Sequence, residues 1–445
     1  MSRFFPGPVL PVLFDQALHI AKTFAEQHAS ELGQRPIVVR DLFGRPRIAL
    51  DDRVAVLSAD LDRLAAELHA QLGAYSPGQL AGEMFLRARE LFAPERIFDS
   101  AELQPLSEHV RLLERQITGE DWLLPPLDPE PAIPRATLFG IKGGVGRSTA
   151  LALWARYLAM EHRKRVLVID LDLESPGVGS LLLPTTHLPR FGLADYLVEA
   201  AVGQGEAIRS DMMARSPLAA GLRGEIWVTP CYGTEPGDYV AKLSRLYQGT
   251  PQEGQGFAER LQHAISALEM QLRPDVVLLD SRAGLHDIAA IALTRLGALG
   301  LLFAGGTPQT LHAYRLLFQG LARHSQHLRM LRQNLQMVAA LVPDRERAKY
   351  LERLRERLYD LFAEFLYDDE SSLPMGRGSI PTEGWNYSVQ DDEAPHHPIP
   401  IRWYGWFQDF DPTAEGAFDA KEVDAAFGAF HSRATELLLS GKDRK

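Results

Sequence analysis

A chain of 445 residues, 46% apolar and 24% charged with a net charge of −11, is long enough for two or three domains with sizeable cores and has the mix of an ordinary soluble globular protein. The acidic balance argues against a broad nucleic-acid-binding surface. Its one cysteine, Cys231, excludes intramolecular disulfides and any multi-cysteine metal or iron–sulfur centre within one chain, and it fits a reducing, cytoplasmic setting.

The opening MSRFFPGPVLPVLF breaks its apolar run with Pro6, Pro8 and Pro11 and has no small-residue cleavage site, so no secretory leader is predicted. No run of about 18 apolar residues occurs, so no membrane span is predicted. A helical pattern covers Phe14–Leu32. Pro36–Arg40 and Arg47–Leu50 read as short strands, with Phe43-Gly44-Arg45-Pro46 as the turn between them. Helical stretches are predicted at Val54–Leu72, Pro77–Leu91 and Ala101–Gln116. Residues 1–123 hold no catalytic constellation and read as a mixed α/β regulatory or partner-binding domain. Leu124–Pro134, LPPLDPEPAIP, carries five prolines in eleven residues and predicts an extended linker.

From residue 135 onward the pattern changes. Apolar runs at Ala136–Ile141, Arg165–Asp170, Glu225–Pro230, Asp275–Asp280, Ala298–Ala304 and Gln336–Val342 read as strands covered on both faces, with helical crossovers between them. This is the pattern of a doubly wound, mostly parallel α/β sheet, and residues 135–445 are predicted as one such domain with a C-terminal helical extension.

Three segments carry chemistry. The strand RATLFGI runs into KGGVGRST, residues 142–149, and a helix follows. Gly143, Gly144 and Gly146 let the backbone around Val145 turn tightly and aim successive N–H groups at one anion. The helix start adds its partial positive charge. Ser148 is placed to ligate a magnesium ion, and Thr149 to reach an inner phosphate. The second segment is VLVIDLDLESPG, residues 166–177, whose strand delivers Asp170 to its C-terminal end with Asp172 in the loop beyond. The third is PDVVLLDSRAG, residues 274–284, in which Asp280 ends an apolar strand and reads as the carboxylate that holds magnesium through a water.

KGGVGRST resembles the deviant Walker A motif, KGGxGK[ST]T, of the ParA/MinD-like ATPases. DSRAG at 280–284 resembles the DSRTG of a KGGVGR-bearing subset. The resemblance implies a P-loop NTPase core that binds ATP and Mg2+, with Lys142 as the signature lysine reaching the nucleotide of an opposite subunit. It further implies that Asp172 orients the attacking water, that Asp170 assists near the metal, that Ser281–Gly284 senses the γ-phosphate, and that Pro343 and Asp344 contact the base. Arg147 departs from the family by standing where the usual P-loop lysine would be; it keeps the charge on a bulkier, forked group and leaves turnover open. Arg282 reads equally as a phosphate or partner contact and as a structural ion pair. Gly305-Gly306-Thr307-Pro308 reads equally as a nucleotide-side loop and as a helix start.

Three functions follow. One is an ATP-driven dimerisation switch acting on a partner, in keeping with the resemblance of multidomain KGGVGR proteins to components of phage-defence systems. Another is a nucleotide-binding module with little turnover. The third is a phosphotransferase, against which the tail LLLSGKDRK lacks the tyrosines of the related kinases. His396 and His397 sit in a proline-rich loop and read as solvated rather than metal-binding. The final segment, Val423–Leu439, presents an apolar face that reads as core packing rather than membrane attachment.

Overall fold

The computed structural model describes residues 11–32, 35–54, 60–100, 103–115, 119–247, 256–323, 325–368, 384–405, 407, 410–412 and 419–440. The segment MSRFFPGPVL, residues 369–383 and the tail GKDRK are among those outside these residues. The chain divides into two compact units, Met1–Glu120 and Asp121–Lys445.

The first unit is built on β1 (Ile37–Arg40), β2 (Pro46–Leu50), β3 (Phe85–Arg87), β4 (Gln104–Pro105) and β5 (Arg111–Glu114), in the order β3-β2-β1-β5-β4. The β1–β2 hairpin turns where Gly44 takes φ +81° and the Asp41 carboxylate accepts the N–H groups of Phe43 and Arg45, each at 2.9 Å. Helices Phe14–Gln27 and Leu61–Leu72 bury Ala17, Phe24, Leu64 and Leu68 against Val38, Ile48 and Leu112.

Two of the helical expectations fail in this unit. Pro77–Leu91 contains only one short helix, Ala81–Met84, before β3, and Ala101–Gln116 holds β4 and β5. In both, successive residues face opposite cores: Phe85 and Leu112 join one apolar cluster, Leu86 and Leu113 the other. That period of two comes from sheet neighbours distant in sequence, which override local helical spacing. The helix predicted over Val54–Leu72 begins at Leu61; residues 55–59 lie outside the described set.

The second unit carries β6 (Arg135–Gly140), β7 (Arg165–Asp170), β8 (Ala214–Arg215), β9 (Glu225–Thr229), β10 (Val276–Asp280), β11 (Leu299–Ala304), β12 (Leu335–Val342) and β13 (Ile399–Arg402). They form one sheet in the order β13-β12-β11-β6-β10-β7-β9-β8, parallel throughout except for the β8–β9 pair. Alternate residues serve opposite faces. Ala136 and Leu138 of β6 pack with helices Arg147–Met160 and Ala420–Leu439, whereas Phe139 packs with Pro308–Ala322 and Arg347–Phe365. Both faces are therefore covered, which is why the strands read as continuous apolar runs. The second unit is the doubly wound, mostly parallel α/β sheet expected from the sequence, and the first is a smaller unit that mixes helices and strands.

The proline-rich stretch packs within the second unit. Leu127 N–H donates to Arg295 O at 2.8 Å, and the Arg295 guanidinium donates to Pro125 O at 2.6 Å. One sequence expectation fails near the other end of the chain. His396 is fully buried rather than solvated: its Nδ1 pairs with the Tyr367 hydroxyl, and its Nε2 lies 3.3 Å from Val389 O. Among the described residues no group of His, Cys, Asp and Glu is arranged to hold a metal ion by side chains of that kind alone.

The C-terminal helix spends its apolar face on the core. Ala426, Phe427, Phe430, Ala434, Leu437 and Leu438 are buried. Phe430 meets Trp154 with ring centroids 5.6 Å apart, and Trp154 Nε1–H donates to Thr435 Oγ1 at 2.9 Å. Among the described residues no helix is long and apolar enough to cross a membrane. Phe430→Ala is expected to destabilise the second unit by about 3–5 kcal/mol, read as a lowered urea midpoint. A shift equivalent to less than about 1 kcal/mol would mean that this ring is not part of the core.

Candidate functional site

The site forms where β6, β7 and β10 end together. β10 lies between the other two, and its pairing with β7 sets Asp280 directly beside Asp170. Two parallel strands of apolar residues thus carry two carboxylates to the same end of the sheet, where open α/β sheets place their ligands. Both are buried, Asp170 at 0% and Asp280 at 1% exposure.

The loop after β6 covers this end. Gly144 and Gly146 adopt φ +72° and +76°, a left-handed conformation that glycine takes without strain. A side chain at Gly143 or Gly144 would meet nothing within 4 Å, so the loop backbone stands open on its outer side. Gly146 is the N-cap of the helix Arg147–Met160 and supplies no capping side chain. Among the described residues, no carbonyl or side-chain oxygen accepts the N–H groups of residues 143–148. Such unpaired donors at a helix start form a cradle for an anion. Val145 packs its side chain on the core below, and Thr149 is partly buried in the first helical turn.

Ser148 joins the cradle to the carboxylates: its hydroxyl donates to Asp280 Oδ2 at 2.6 Å. Asp280 Oδ1 is buried with no hydrogen-bond partner, and so is Asp172 Oδ1. Asp170 is fully engaged. Its Oδ1 accepts Asp172 N–H at 3.2 Å, and its Oδ2 accepts Gly177 N–H at 3.2 Å and Gly179 N–H at 3.0 Å. A Cβ at Gly179 would lie 3.0 Å from Pro230 Cβ and 3.2 Å from Asp170 Oδ2, so this approach needs glycine. The Cys231 thiol, fully buried, donates to Asp170 O at 3.4 Å, and burial pushes its pKa well up. A small cavity of about 30 Å³, enough for one water, lies beside Asp170, Gly179, Pro230 and Cys231.

Arg147 lies under the loop. Its guanidinium donates to Ser281 O, and Nη2 stands 3.8 Å from Asp172 Oδ2. It is only 8% exposed. Arg282 pairs with Glu174 at 2.6 Å, and the Tyr247 hydroxyl donates to the same carboxylate; of its two sequence readings the ion pair is the one present. Thr307 caps the helix Pro308–Ala322 by accepting Thr310 N–H at 3.3 Å, with Pro308 in the first turn.

Ser148, Arg147, Asp170, Asp172 and Asp280 are therefore one connected cluster. Lys142, Pro343 and Asp344 are not in contact with it. Lys142 is exposed and has no ion-pair or hydrogen-bond partner among the described residues. Asp344 accepts from Arg402 at 3.1 Å. The end of β12, just before Pro343, does approach the cradle through Leu341, which has φ +53°, is 40% exposed and has its Cδ2 3.8 Å from where a Gly146 Cβ would stand. Sequence reasoning passed over Gly177, Gly179, Glu174 and Leu341. The Gly-x-Gly at 177–179 soon after a strand-ending aspartate was the one available signal; the other two depend on distant partners.

Burial is the largest cause of the site's altered acidities. It pushes Asp170 up to about 6 and Asp280 up to about 7, Asp280 being raised further by Asp170 and lowered by Arg147 and Ser148. Burial also raises Asp172, against the pull of Arg147 and Arg282. Both strand-end carboxyls start from 3.8, so without a bound cation the folded chain holds protons that the unfolded chain releases. Their stabilising effect is complete below about pH 4 and is lost as pH rises through 6 to 7. Metal-free protein is thus expected to lose on the order of 1 kcal/mol or more between about pH 5.5 and 7.5, and Asp280→Asn to flatten that slope. Chemical denaturation at several pH values in EDTA reads it; an unchanged slope in the variant would assign it elsewhere.

No family model and no curated protein matches the chain. Solved structures resemble it at low identity. Cobyrinic acid a,c-diamide synthase from Mycobacterium smegmatis, with bound ATP analogue and magnesium, is 21% identical over 57% of this chain and 88% of that one, with a TM-score of 0.36. The septum site-determining protein MinD from Pyrococcus horikoshii, complexed with Mg-ADP, is 18% identical over 48% and 72%, with a TM-score of 0.33. The pNOB8 ParA bound to nonspecific DNA is 16% identical over 69% and 97%, with a TM-score of 0.41.

Proposed function

We propose that the chain is a magnesium-dependent ATP-binding and hydrolysing protein that works as a nucleotide-driven dimerisation switch on a partner. The observation that supports it most is the junction of the open glycine cradle, through Ser148, with the side-by-side carboxylates Asp280 and Asp170. A cradle of unpaired N–H groups suits a polyphosphate. The hydroxyl of Ser148 and the orphaned Oδ1 of Asp280, with Asp170 behind them, are hard oxygen donors of the kind magnesium takes.

In this reading residues 143–149 hold the phosphate chain. Ser148 and Asp280 hold the cation directly or through water, and Asp170 keeps the second carboxylate close by. Bound magnesium supplies neutralisation of the charge that develops on the terminal phosphates. Asp172 orients the attacking water through the oxygen left without a partner. Lys142, exposed at the loop's start, reaches the second subunit's nucleotide, and Leu341, Pro343 and Asp344 border the base. Residues 1–123 carry the regulatory or partner-binding role. The resemblance to ParA/MinD-like ATPases supports the same assignment, and the placement in a defence system rests on that resemblance alone.

A second reading, nucleotide binding with little turnover, has its own support. Arg147 is tied to Ser281 O and stands 3.8 Å from Asp172, so the cation that would serve the phosphates is occupied beneath the loop.

The test is equilibrium binding of ATP with magnesium and with EDTA, phosphate release, and sedimentation with and without ATP. Magnesium-dependent binding, turnover and a doubling of mass support the switch. Binding with neither turnover nor a mass change supports the second reading, and absence of binding removes both.

A further inference from the structure

Away from this site, the helix Arg347–Phe365 and the segment entering β13 line an open-sided cavity of about 230 Å³. Its lining includes Leu351, Glu352, Arg355, His397, Pro398 and Pro400. The volume is several times that of a water, about 30 Å³ in the liquid. It falls just below the pockets that take drug-sized molecules, about 300–1,000 Å³. It suits a small metabolite.

Two opposite charges line the cavity, and neither is neutralised by the chain. Arg355 has no ion pair or hydrogen bond among the described residues, and its Nε is buried without a partner. Glu352, one helical turn earlier, stands at the exposed rim and has no ion-pair partner among them either. Glutamate and arginine at this spacing can pair along a helix; here they do not. His397 adds a third polar group. Its Nδ1 is buried with no hydrogen-bond partner, although Asp392 Oδ1 lies 3.3 Å away out of line. Leu351, Pro398 and Pro400 supply apolar wall.

We propose that this cavity binds a small zwitterion, a free α-amino acid. Its carboxylate pairs with Arg355, its ammonium pairs with Glu352, and its side chain lies against Leu351 and the two prolines. A simple anion would face Glu352 and a simple cation would face Arg355, each beside a like charge. A zwitterion answers both. A guanidinium fork is well suited to a carboxylate. The proposal rests on no part of the nucleotide reading.

The test uses the full-length protein in EDTA without nucleotide. Each of the proteinogenic L-amino acids is titrated in turn by calorimetry, with acetate and methylammonium as single-charge probes. At least one amino acid is expected to saturate a single site, with both probes at least about tenfold weaker. Arg355→Gln and Glu352→Gln, near-isosteric changes on a partly exposed helix, should each weaken that binding at least about tenfold with an unchanged melting temperature. The proposal is overturned if no amino acid saturates, if acetate or methylammonium binds as tightly, or if either folded variant binds with wild-type affinity.

Discussion

Replacing Asp172 by asparagine is expected to slow ATP turnover by about 10²–10⁴-fold, the span typical of losing a group that assists proton transfer, while leaving ATP affinity within a few-fold. The expectation comes from how Asp172 is held. It stands two residues beyond the end of β7, with one oxygen 3.8 Å from the Arg147 guanidinium and the other buried without a partner. Asparagine keeps the shape and loses the charge and one acceptor. Ser148 and Asp280, which hold the cation in the proposed reading, and Asp170 beside them are untouched, so binding should survive. Single-turnover phosphate release beside equilibrium binding separates the two quantities. Turnover at the wild-type rate in a variant that still binds would move this role to another group.

Lys142→Ala is expected to have the next largest effect, a fall in turnover of about 10³-fold or more together with loss of the ATP-dependent mass increase. Cationic groups supplied across an interface to a transferring phosphoryl group contribute on that scale. Lys142 opens the glycine loop, is exposed, and meets no carboxylate among the described residues. A structural lysine would have a partner in its own chain; this one has its charge free for an anion outside it. Thermal stability should therefore barely change, since exposed unpaired charges contribute little. Sedimentation with ATP and magnesium gives the decisive measurement. Persistent dimers with normal turnover would remove Lys142 from the interface.

Much of the second unit could be read from its residues, because each major strand is apolar on both faces and ends in a residue of different character. Arg165–Asp170 and Asp275–Asp280 are the clearest cases. What could not be read was the register that sets Asp170 beside Asp280, since pairing depends on the fold as a whole. The β13 strand was hidden by Pro398 and Pro400, which resemble loop residues; a sheet edge tolerates them because it needs fewer ladder bonds. In the first unit β3 and β5 are too short for their period of two to compete with helical spacing. The site itself was legible as motifs but not as contacts. That Arg147 lies beneath the loop, held by Ser281 O, follows from the position of β10 next to β6, which no local pattern encodes.

The burial of Cys231 against the Asp170 carbonyl makes the chain its own chemical probe. As the chain's one thiol, wholly enclosed and with its pKa raised, it is shielded from alkylating reagents as long as the ends of β7 and β9 stay closed over it. The labelling rate of unmodified protein then measures how often this end of the sheet opens, without an engineered cysteine or a fluorophore. A ligand that braces Asp170 should slow that labelling in proportion to its occupancy. The same thiol therefore turns any screen for ligands of the site into a mass measurement on intact protein.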